Sequence, residues 1–169
     1  MNVFEAFDLA AARHAEEVID HPPKLVFQEL RQYLLSEAKQ NGHQTKQHEI
    51  AGLLKIDDGK TGATIVLGPT FDKGTSEDGS FVFGSGGRLS FGLVLKERDG
   101  KSILESARFH YKSKAEQIIR YDVTPQAKDL LHDPRAHYHW ADDLRLPAPV
   151  LHPRHILEVL FRVVDPQMK

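Results

Sequence analysis

Residues 88–111 read RLSFGLVLKERDGKSILESARFHY, two runs of alternating apolar and polar residues separated by a short turn sequence. Alternation with a period of two is typical of β-strands, and an aspartate-glycine pair between two such runs favours a hairpin. We predict a three-residue loop at 98–100, because this register places apolar side chains opposite each other. The predicted pairs are Leu95 with Ile103, Phe91 with Ala107 and Leu89 with Phe109.

The same alternation decides which side chains lie on the second face of the hairpin. Arg108 and His110 fall on this face, away from the apolar set. Their neighbours across the strands are expected to be Ser90, Gly92 and Val94, which are small or semi-polar. A face of this kind can form the floor of a cleft, so the hairpin contributes two candidate functional residues.

The segments on either side of the hairpin predict an α+β fold in a single domain. Apolar residues at helical spacing, with Pro22-Pro23 between two such runs, predict an N-terminal helical hairpin. Strand-like runs follow and predict a mainly antiparallel sheet of about five or six strands. The expected parts of the domain 1–169 are the helical hairpin at 1–42 with its first helix at 3–19, the sheet at 49–122, a His/Pro-rich connection at 123–152 and a C-terminal helix at 153–164.

Four further runs are strand candidates because they are short, rich in β-branched residues and bounded by turn residues. They are IAGLLKI at 50–56, TGATIVLG at 61–68, SFVFG at 80–84 and QIIRYD at 117–122. In the last of these, alternation places Arg120 and Asp122 on one face. An arginine and an aspartate so arranged can form an ion pair or contribute jointly to a site.

Composition excludes several classes of function. The chain has 169 residues, 40% of them hydrophobic, and a net charge of −2, which gives no general case for nucleic acid or an anionic membrane as partner. It contains no cysteine, so disulfides, thiolate zinc sites, iron–sulfur clusters and a cysteine nucleophile are excluded. The first ten residues lack the pattern of a signal peptide, and no run approaches the ~20 apolar residues of a membrane span. We therefore expect a cytoplasmic protein.

The motifs of common nucleotide-binding and hydrolase folds are missing. Gly59-Lys60-Thr61 resembles the end of a phosphate-binding loop, but the glycine needed five positions before Gly59 is Leu54. GSGG at 84–87 precedes a predicted strand, so no helix N-terminus follows it to hold a phosphate. The sequence also lacks GxSxG, HExxH and an EF-hand loop.

The remaining chemistry lies in residues 132–147, HDPRAHYHWADDLRLP. If His137-Tyr138-His139 is extended, both imidazoles project from one face and Tyr138 points to the other. Histidines titrate near neutrality, so His137 and His139 could divide acid and base duties on one substrate. We also keep Tyr138 and Arg145 as candidate substrate-binding residues.

Our first hypothesis is a metal-independent ribonuclease built on this histidine pair. Arg108, Arg120 and Arg145 would neutralise the phosphodiester as charge develops in its transition state. His110 and Asp122 would complete the catalytic set, on strands next to the histidines. Arg120 and Asp122 could instead form a structural ion pair without a role in catalysis.

A second hypothesis uses the same residues to bind a divalent metal. Two histidines and a carboxylate make an open site for zinc, iron or manganese, here His137, His139 and Asp122. Asp142 and Asp143 follow His139 at three and four residues, as an acid does in cupin-like enzymes. The absence of a glycine before HxH and the helical N-terminus count against a cupin-like barrel.

The strand pair, the RYD stretch at 120–122 and the HxH element at 137–139 together resemble the TumE-type toxins of bacterial toxin–antitoxin pairs. The resemblance covers at most residues 88–163 and implies a nucleic-acid-directed toxin or ribonuclease that a cognate antitoxin neutralises. The chain departs from the family pattern after Asp122, where Val123-Thr124-Pro125 stands in place of asparagine and glycine, and in the long insert QAKDLLHDPRA.

A third hypothesis is a non-catalytic interaction module. In that case the two predicted N-terminal helices would bind a partner protein, and the histidine-rich segment would serve packing. An exposed apolar stripe on those helices would favour this hypothesis over the two enzymatic ones.

Overall fold

A computed structural model describes residues 18–40, 42–58, 63–67, 80–125, 135–140 and 144–166. The helical segments are α1 (Pro23–Lys39), a 3₁₀ turn (Gln47–Glu49), α2 (Ile50–Leu53), α3 (Pro153–Val159) and the π-helical turn that continues it (Leu160–Val164). The strands are β1 (Val18–Ile19), β2 (Lys55–Asp58), β3 (Ala63–Leu67), β4 (Phe81–Val82), β5 (Arg88–Arg98), β6 (Lys101–Lys112), β7 (Ile118–Val123), β8 (Ala136–Trp140) and β9 (Leu144–Pro147).

The strands form one antiparallel sheet, and the predicted α+β class is confirmed. Its main path is β2-β3-β5-β6-β7-β8-β9, with β1 paired to β6 and β4 paired to β5. The described part of the chain thus contributes nine strands, more than the five or six expected, because β1, β8 and β9 form in segments that were predicted to be a helix or a connection. None of the described helices is long and apolar enough to cross a membrane.

The β5–β6 hairpin forms where predicted but in a different register. Arg98 pairs with Lys101, so the turn has two residues, Asp99 and Gly100, with φ of 53° and 75°. Two positive φ angles match the right-handed twist of the strands, which favours this turn over the predicted three-residue loop. The predicted loop and its side-chain pairs are therefore wrong.

A β-bulge restores the apolar match that the predicted loop was meant to supply. Val94 pairs with Ser106 but Leu95 pairs with Leu104, which leaves Glu105 as the extra residue. Beyond the bulge Phe91 lies opposite Phe109, and their rings stack with centroids 5.1 Å apart. The register shift thus occurs within the strands rather than at the turn.

The prediction for the second face of the hairpin is confirmed. Ser90 pairs with His110 and Gly92 pairs with Arg108, while the residues between them are buried in the core. We call this side of the sheet the second face. It is the side opposite to the one that α1 and α3 cover.

Helices α1 and α3 pack on the other face and form the core with it. The buried cluster joins the three elements: Val26, Leu30 and Leu34 of α1, Ile156 and Leu157 of α3, and Leu89, Phe91 and Leu93 of β5. Phe161, in the turn after α3, packs against Phe81 and Phe83 with ring centroids 4.9 and 4.6 Å apart. Because the apolar stripe of α1 is buried here, it is not the exposed docking stripe that the interaction hypothesis requires.

Three boundaries differ from the prediction. The helix expected at 3–19 lies outside the described residues except for Val18–Ile19, which form a strand and pair with Ile103 and Ser102. Residues 50–53 of the predicted strand IAGLLKI are helical. The expected connection at 123–152 contains strands β8 and β9, which are held by backbone pairing of β8 with β7 and of β9 with β8.

Tyr121 joins the sheet to the chain that leads into α3. Its hydroxyl donates a hydrogen bond to the Pro149 carbonyl at 2.7 Å and accepts one from the Leu151 N–H at 3.0 Å. Tyr121 is buried on the core face, directly between Arg120 and Asp122 in the chain. This anchor holds β7 in place below the second face.

A buried histidine predicts how stability depends on pH. His43 lies edge-on to Phe81, Phe83 and Phe161, and burial lowers its pKa below the ordinary value. The charged groups that face it are Glu37, Lys46, Arg162 and Asp165.

Because the folded state holds His43 neutral while the unfolded state takes up the proton, the free energy of unfolding should fall as pH drops below about 6.5. Urea unfolding at several pH values measures this loss. We expect His43→Leu to lose less free energy of unfolding than the wild type. The control His48→Gln, which changes an exposed histidine, should lose as much as the wild type. Equal losses in wild type and His43→Leu would contradict the assignment.

Candidate functional site

The sheet register brings most of the predicted site residues into two adjacent rows on the second face. Each row crosses the strands from β5 to β9 at paired positions. The first row is Ser90, His110, Arg120, His139 and Arg145, and the second is Gly92, Arg108, Asp122, His137 and Pro147. Predicted site residues from four separate strands therefore meet on one surface.

Asp122 lies at the centre of this cluster and is almost fully buried. Its Oδ2 accepts a hydrogen bond from Arg120 Nε at 2.7 Å, and a second contact comes from Arg120 Nη2. Arg108 Nε lies 3.6 Å from the other carboxylate oxygen, Oδ1. A buried carboxylate needs such partners, and the two arginines offset the cost of removing its charge from water.

Both histidines of the HxH element face Asp122. His139 Nε2 lies 3.2 Å and His137 Nε2 lies 4.0 Å from Asp122 Oδ2, and the two ring centroids are 4.9 Å apart. The side chain of His137 is 3% exposed and that of His139 is 15% exposed. His139 is thus the histidine of the pair that a ligand reaches more easily.

The surroundings of His139 and His110 favour the neutral form of both imidazoles. Burial lowers the pKa of His139, and Arg120 lowers it further against the opposing effect of Asp122. Burial and then Arg120 also lower the pKa of His110, which lies on the other side of Arg120. Neutral imidazoles near pH 7 can accept a proton or bind a metal.

The cationic side chains around the cluster differ in how far they reach solvent. Arg108 is 68% exposed, whereas Arg120 is held against Asp122. Arg145 is exposed on β9 and pairs in register with His139. An anion at His139 would therefore meet arginines from more than one strand.

Tyr138 does not belong to the site. It is buried on the core face and pairs in register with Tyr121. Alternation along β8 forces this, because its neighbours His137 and His139 both lie on the second face. We therefore withdraw Tyr138 as a substrate-binding residue.

The cluster could hold a divalent cation. One atom each of Asp122, His137 and His139 lies within 4.8 Å of the others, and the set matches sites for zinc, iron or manganese. Asp122 Oδ1 and His139 Nε2 are buried without a hydrogen bond from the described residues. Arg120 already bonds to Oδ2, so a metal would have to share that oxygen or use Oδ1. Asp142 and Asp143 lie outside the described residues.

Two cations that the sequence analysis did not select lie on the same face. Arg88 and Lys112 are paired in register, one step along the strands from Ser90 and His110. The spacing of Arg108, His110 and Lys112 at alternate positions of one run could have identified Lys112, whereas Arg88 joins them only through the register. No protein-family model, curated protein or solved structure matches the chain.

Proposed function

We propose that the protein cleaves the phosphodiester backbone of RNA. The observation that carries the proposal is the row of His110, Arg120 and His139 on three adjacent strands. It places a cationic group between two imidazoles whose pKa values are lowered by burial. A further cation, Arg145, lies beside His139 in the same row.

The arrangement suits in-line displacement at phosphorus, which needs a proton acceptor and a proton donor on opposite sides of the phosphate. Neighbouring strands are ~4.8 Å apart, so backbones two strands apart are separated by about 10 Å. A phosphate above Arg120 would then lie between His139 and His110. His137, which is nearly inaccessible, would support Asp122 rather than contact substrate.

In the proposed reaction His139 takes the proton of the ribose 2′-hydroxyl. Its Nε2 faces Asp122, which leaves Nδ1 as the atom that accepts this proton. The 2′-oxygen attacks phosphorus, the bond to the 5′-oxygen breaks, and that leaving oxygen takes a proton from His110, which has first bound it from solvent against the lowered pKa of its imidazole. The products are a 2′,3′-cyclic phosphate and a 5′-hydroxyl, and Arg120 and Arg145 stabilise the charge of the transition state.

The resemblance to TumE-type toxins agrees with this proposal. The residues that carry the resemblance, RYD at 120–122 and HxH at 137–139, supply most of the cluster around Asp122. We propose accordingly that expression of the chain inhibits bacterial growth and that a cognate antitoxin relieves the inhibition. Loss of inhibition in a His139→Asn variant that accumulates to the same level would support the toxin assignment.

Cleavage of a defined RNA by the purified protein tests the proposal. We expect His139→Asn and His110→Asn each to lower kcat/KM by at least about a hundredfold, because general acid–base groups contribute ~10²–10⁴. A substrate with 2′-deoxyribose at the cleaved position should resist the wild type. His48→Asn, which changes an exposed histidine of the 3₁₀ turn, is the matched control. Full activity of both site variants would refute the assignment.

A second candidate function is metal-dependent catalysis at the same place. The convergence of Asp122, His137 and His139 is the observation that favours it. The purified protein would then contain one zinc, iron or manganese ion per chain, and His137→Asn would abolish its binding. If metal-free protein cleaves RNA at the full rate in the presence of a chelator, metal-dependent catalysis is refuted and the metal-independent mechanism is supported.

A further inference from the structure

We propose that the cluster continues into a basic track that binds the phosphates of single-stranded RNA beside the cleaved bond. The basic track consists of Arg108, His110 and Lys112 along β6, with Arg88 of β5 next to Lys112. This inference rests on the proposed function, because it takes RNA as the substrate. Arg88 and Lys112 are its new residues, since neither belongs to the cluster around Asp122.

Strand geometry places the track on one line. Residues at alternate positions of a strand point to the same face and are about 6.7 Å apart. Arg108, His110 and Lys112 are such positions of β6, and each has a register partner on β5 or β7. The Cα atoms of Arg88 and Lys112 are partners, which brings their side chains together at the end of the track.

Among the described residues, the register rows of this surface carry a net positive charge although the whole chain is slightly acidic. Three register rows make it up: the two rows of the site and the row Arg88, Lys112 and Ile118. They contain five cationic side chains, Arg88, Arg108, Lys112, Arg120 and Arg145, against one carboxylate, Asp122. Asp122 is bonded to Arg120 and offsets its charge, which leaves the other four cationic side chains of the rows with no second carboxylate among the row residues.

The ion pair of Lys112 does not prevent phosphate binding. Lys112 Nζ lies 3.1 Å from Glu116 Oε1, and the two side chains are 37% and 79% exposed. Exposed pairs contribute about 0–1 kcal/mol, so a phosphate can replace the carboxylate at little cost. Glu116 lies beyond the end of β6 and outside the three register rows.

The linear spacing favours one nucleic-acid strand over a duplex. A single line of cations follows one backbone, whereas a duplex presents two backbones separated by a groove. The described side chains of the three rows include no phenylalanine, tyrosine or tryptophan on which bases could stack. We therefore expect binding through phosphates with little base preference.

Binding of a fluorescent 12-nucleotide RNA with 2′-O-methyl groups, followed by anisotropy, tests the track. This RNA lacks the 2′-hydroxyl, so affinity is measured without cleavage. We expect the double variant Arg88→Gln/Lys112→Gln to raise Kd about tenfold at low salt. The slope of log Kd against log salt should fall by about 1.4, since each phosphate contact in single strands contributes ~0.7.

The matched control is Arg98→Gln/Lys101→Gln. These residues are also register partners on β5 and β6, but they lie at the hairpin turn at the other end of the strands. The control removes the same charge, so an equal loss of affinity in both double variants would mean that net charge alone matters and would overturn the proposal. Equal competition by a 12-base-pair duplex RNA, or binding of polyaspartate in preference to RNA, would overturn it too.

The outcome separates this inference from the proposed function. RNA that binds through the track but is not cleaved would refute the ribonuclease while supporting the track. RNA that the wild type cleaves, with unchanged KM in Arg88→Gln/Lys112→Gln for a 12-nucleotide substrate, would refute the track and leave the ribonuclease.

Discussion

Asp122→Asn is expected to lower kcat/KM for RNA cleavage by about a thousandfold, because it misplaces the general base His139 and general acid–base groups contribute ~10²–10⁴. The carboxylate accepts the hydrogen bond from Arg120 and lies 3.2 Å from His139 Nε2. Asparagine has nearly the same shape but no charge. If its amide NH₂ took the position of Oδ2, it would face the N–H donor of Arg120. Arg120 and His139 would both lose the group that fixes their orientation.

The control for this variant is Asp99→Asn in the hairpin turn. Asp99 is 91% exposed and has a φ of 53°, a conformation that asparagine also tolerates. Activity and thermal unfolding should be measured together, because an unpaired buried polar group costs about 1–3 kcal/mol of stability. Asp122→Glu retains the charge and should have intermediate activity. A folded Asp122→Asn variant with wild-type kcat/KM would remove Asp122 from the mechanism.

Much of the site was predictable because strand alternation is a strict rule. Once RYD and HxH are strands, Arg120 and Asp122 must share a face, and so must His137 and His139. The side chains on the second face of the hairpin, Arg108 and His110, follow from the same rule. The side of the sheet on which these residues lie does not depend on the exact register. The wrong prediction of the hairpin loop therefore did not change the face assigned to Arg108 and His110.

The features that were missed depend on which residues pair across the strands. The β-bulge at Glu105 arises because a favourable two-residue turn and an apolar match cannot both be met without an extra residue. The pairing of Asp122 with His137 joins two segments that are not adjacent in the chain, and no local pattern specifies it. Arg88 and Lys112 were missed because their partnership exists only in the register.

Helix and strand were confused where a short apolar run fits both. Residues 50–53 are helical although IAGLLKI reads as a strand. Ile50 is fully buried, and the turn of helix positions it before the chain extends into β2. Periodicity cannot decide between the two structures over so few residues, and packing makes the choice.

The second large effect is expected in stability rather than activity, at the buried carboxylate Glu37 of α1. Glu37 is 2% exposed, and Arg162, in the turn after α3, bonds to its Oε1. The pair joins the first described helix to the last across 125 residues of chain. Burial raises the pKa of Glu37, and Arg162 opposes this rise.

Arg162→Met should reduce the free energy of unfolding by about 3 kcal/mol at pH 7.5, because it leaves a buried carboxylate without its cation. The loss should be smaller near pH 5. In the variant the pKa of Glu37 rises further, so the folded state takes up a proton that removes the unpaired charge. When the pKa of a carboxyl group is higher in the folded state than in the unfolded state, stability decreases as pH rises above the unfolded pKa. The variant should therefore be less stable at pH 7.5 than at pH 5.

The double variant Glu37→Gln/Arg162→Met separates the loss of the pair from the loss of packing. Glutamine carries no charge that needs a cation, so the double variant should recover most of the stability that Arg162→Met loses. Arg31→Met, an exposed change on α1, should have little effect. Urea unfolding at pH 5 and 7.5 measures the wild type and the variants. If the two substitutions at 37 and 162 were additive at both pH values, the bond between Glu37 and Arg162 would contribute nothing to stability, and the contacts that remain between α1 and the C-terminal segment, such as the bond from Arg154 to Glu29, would account for the junction.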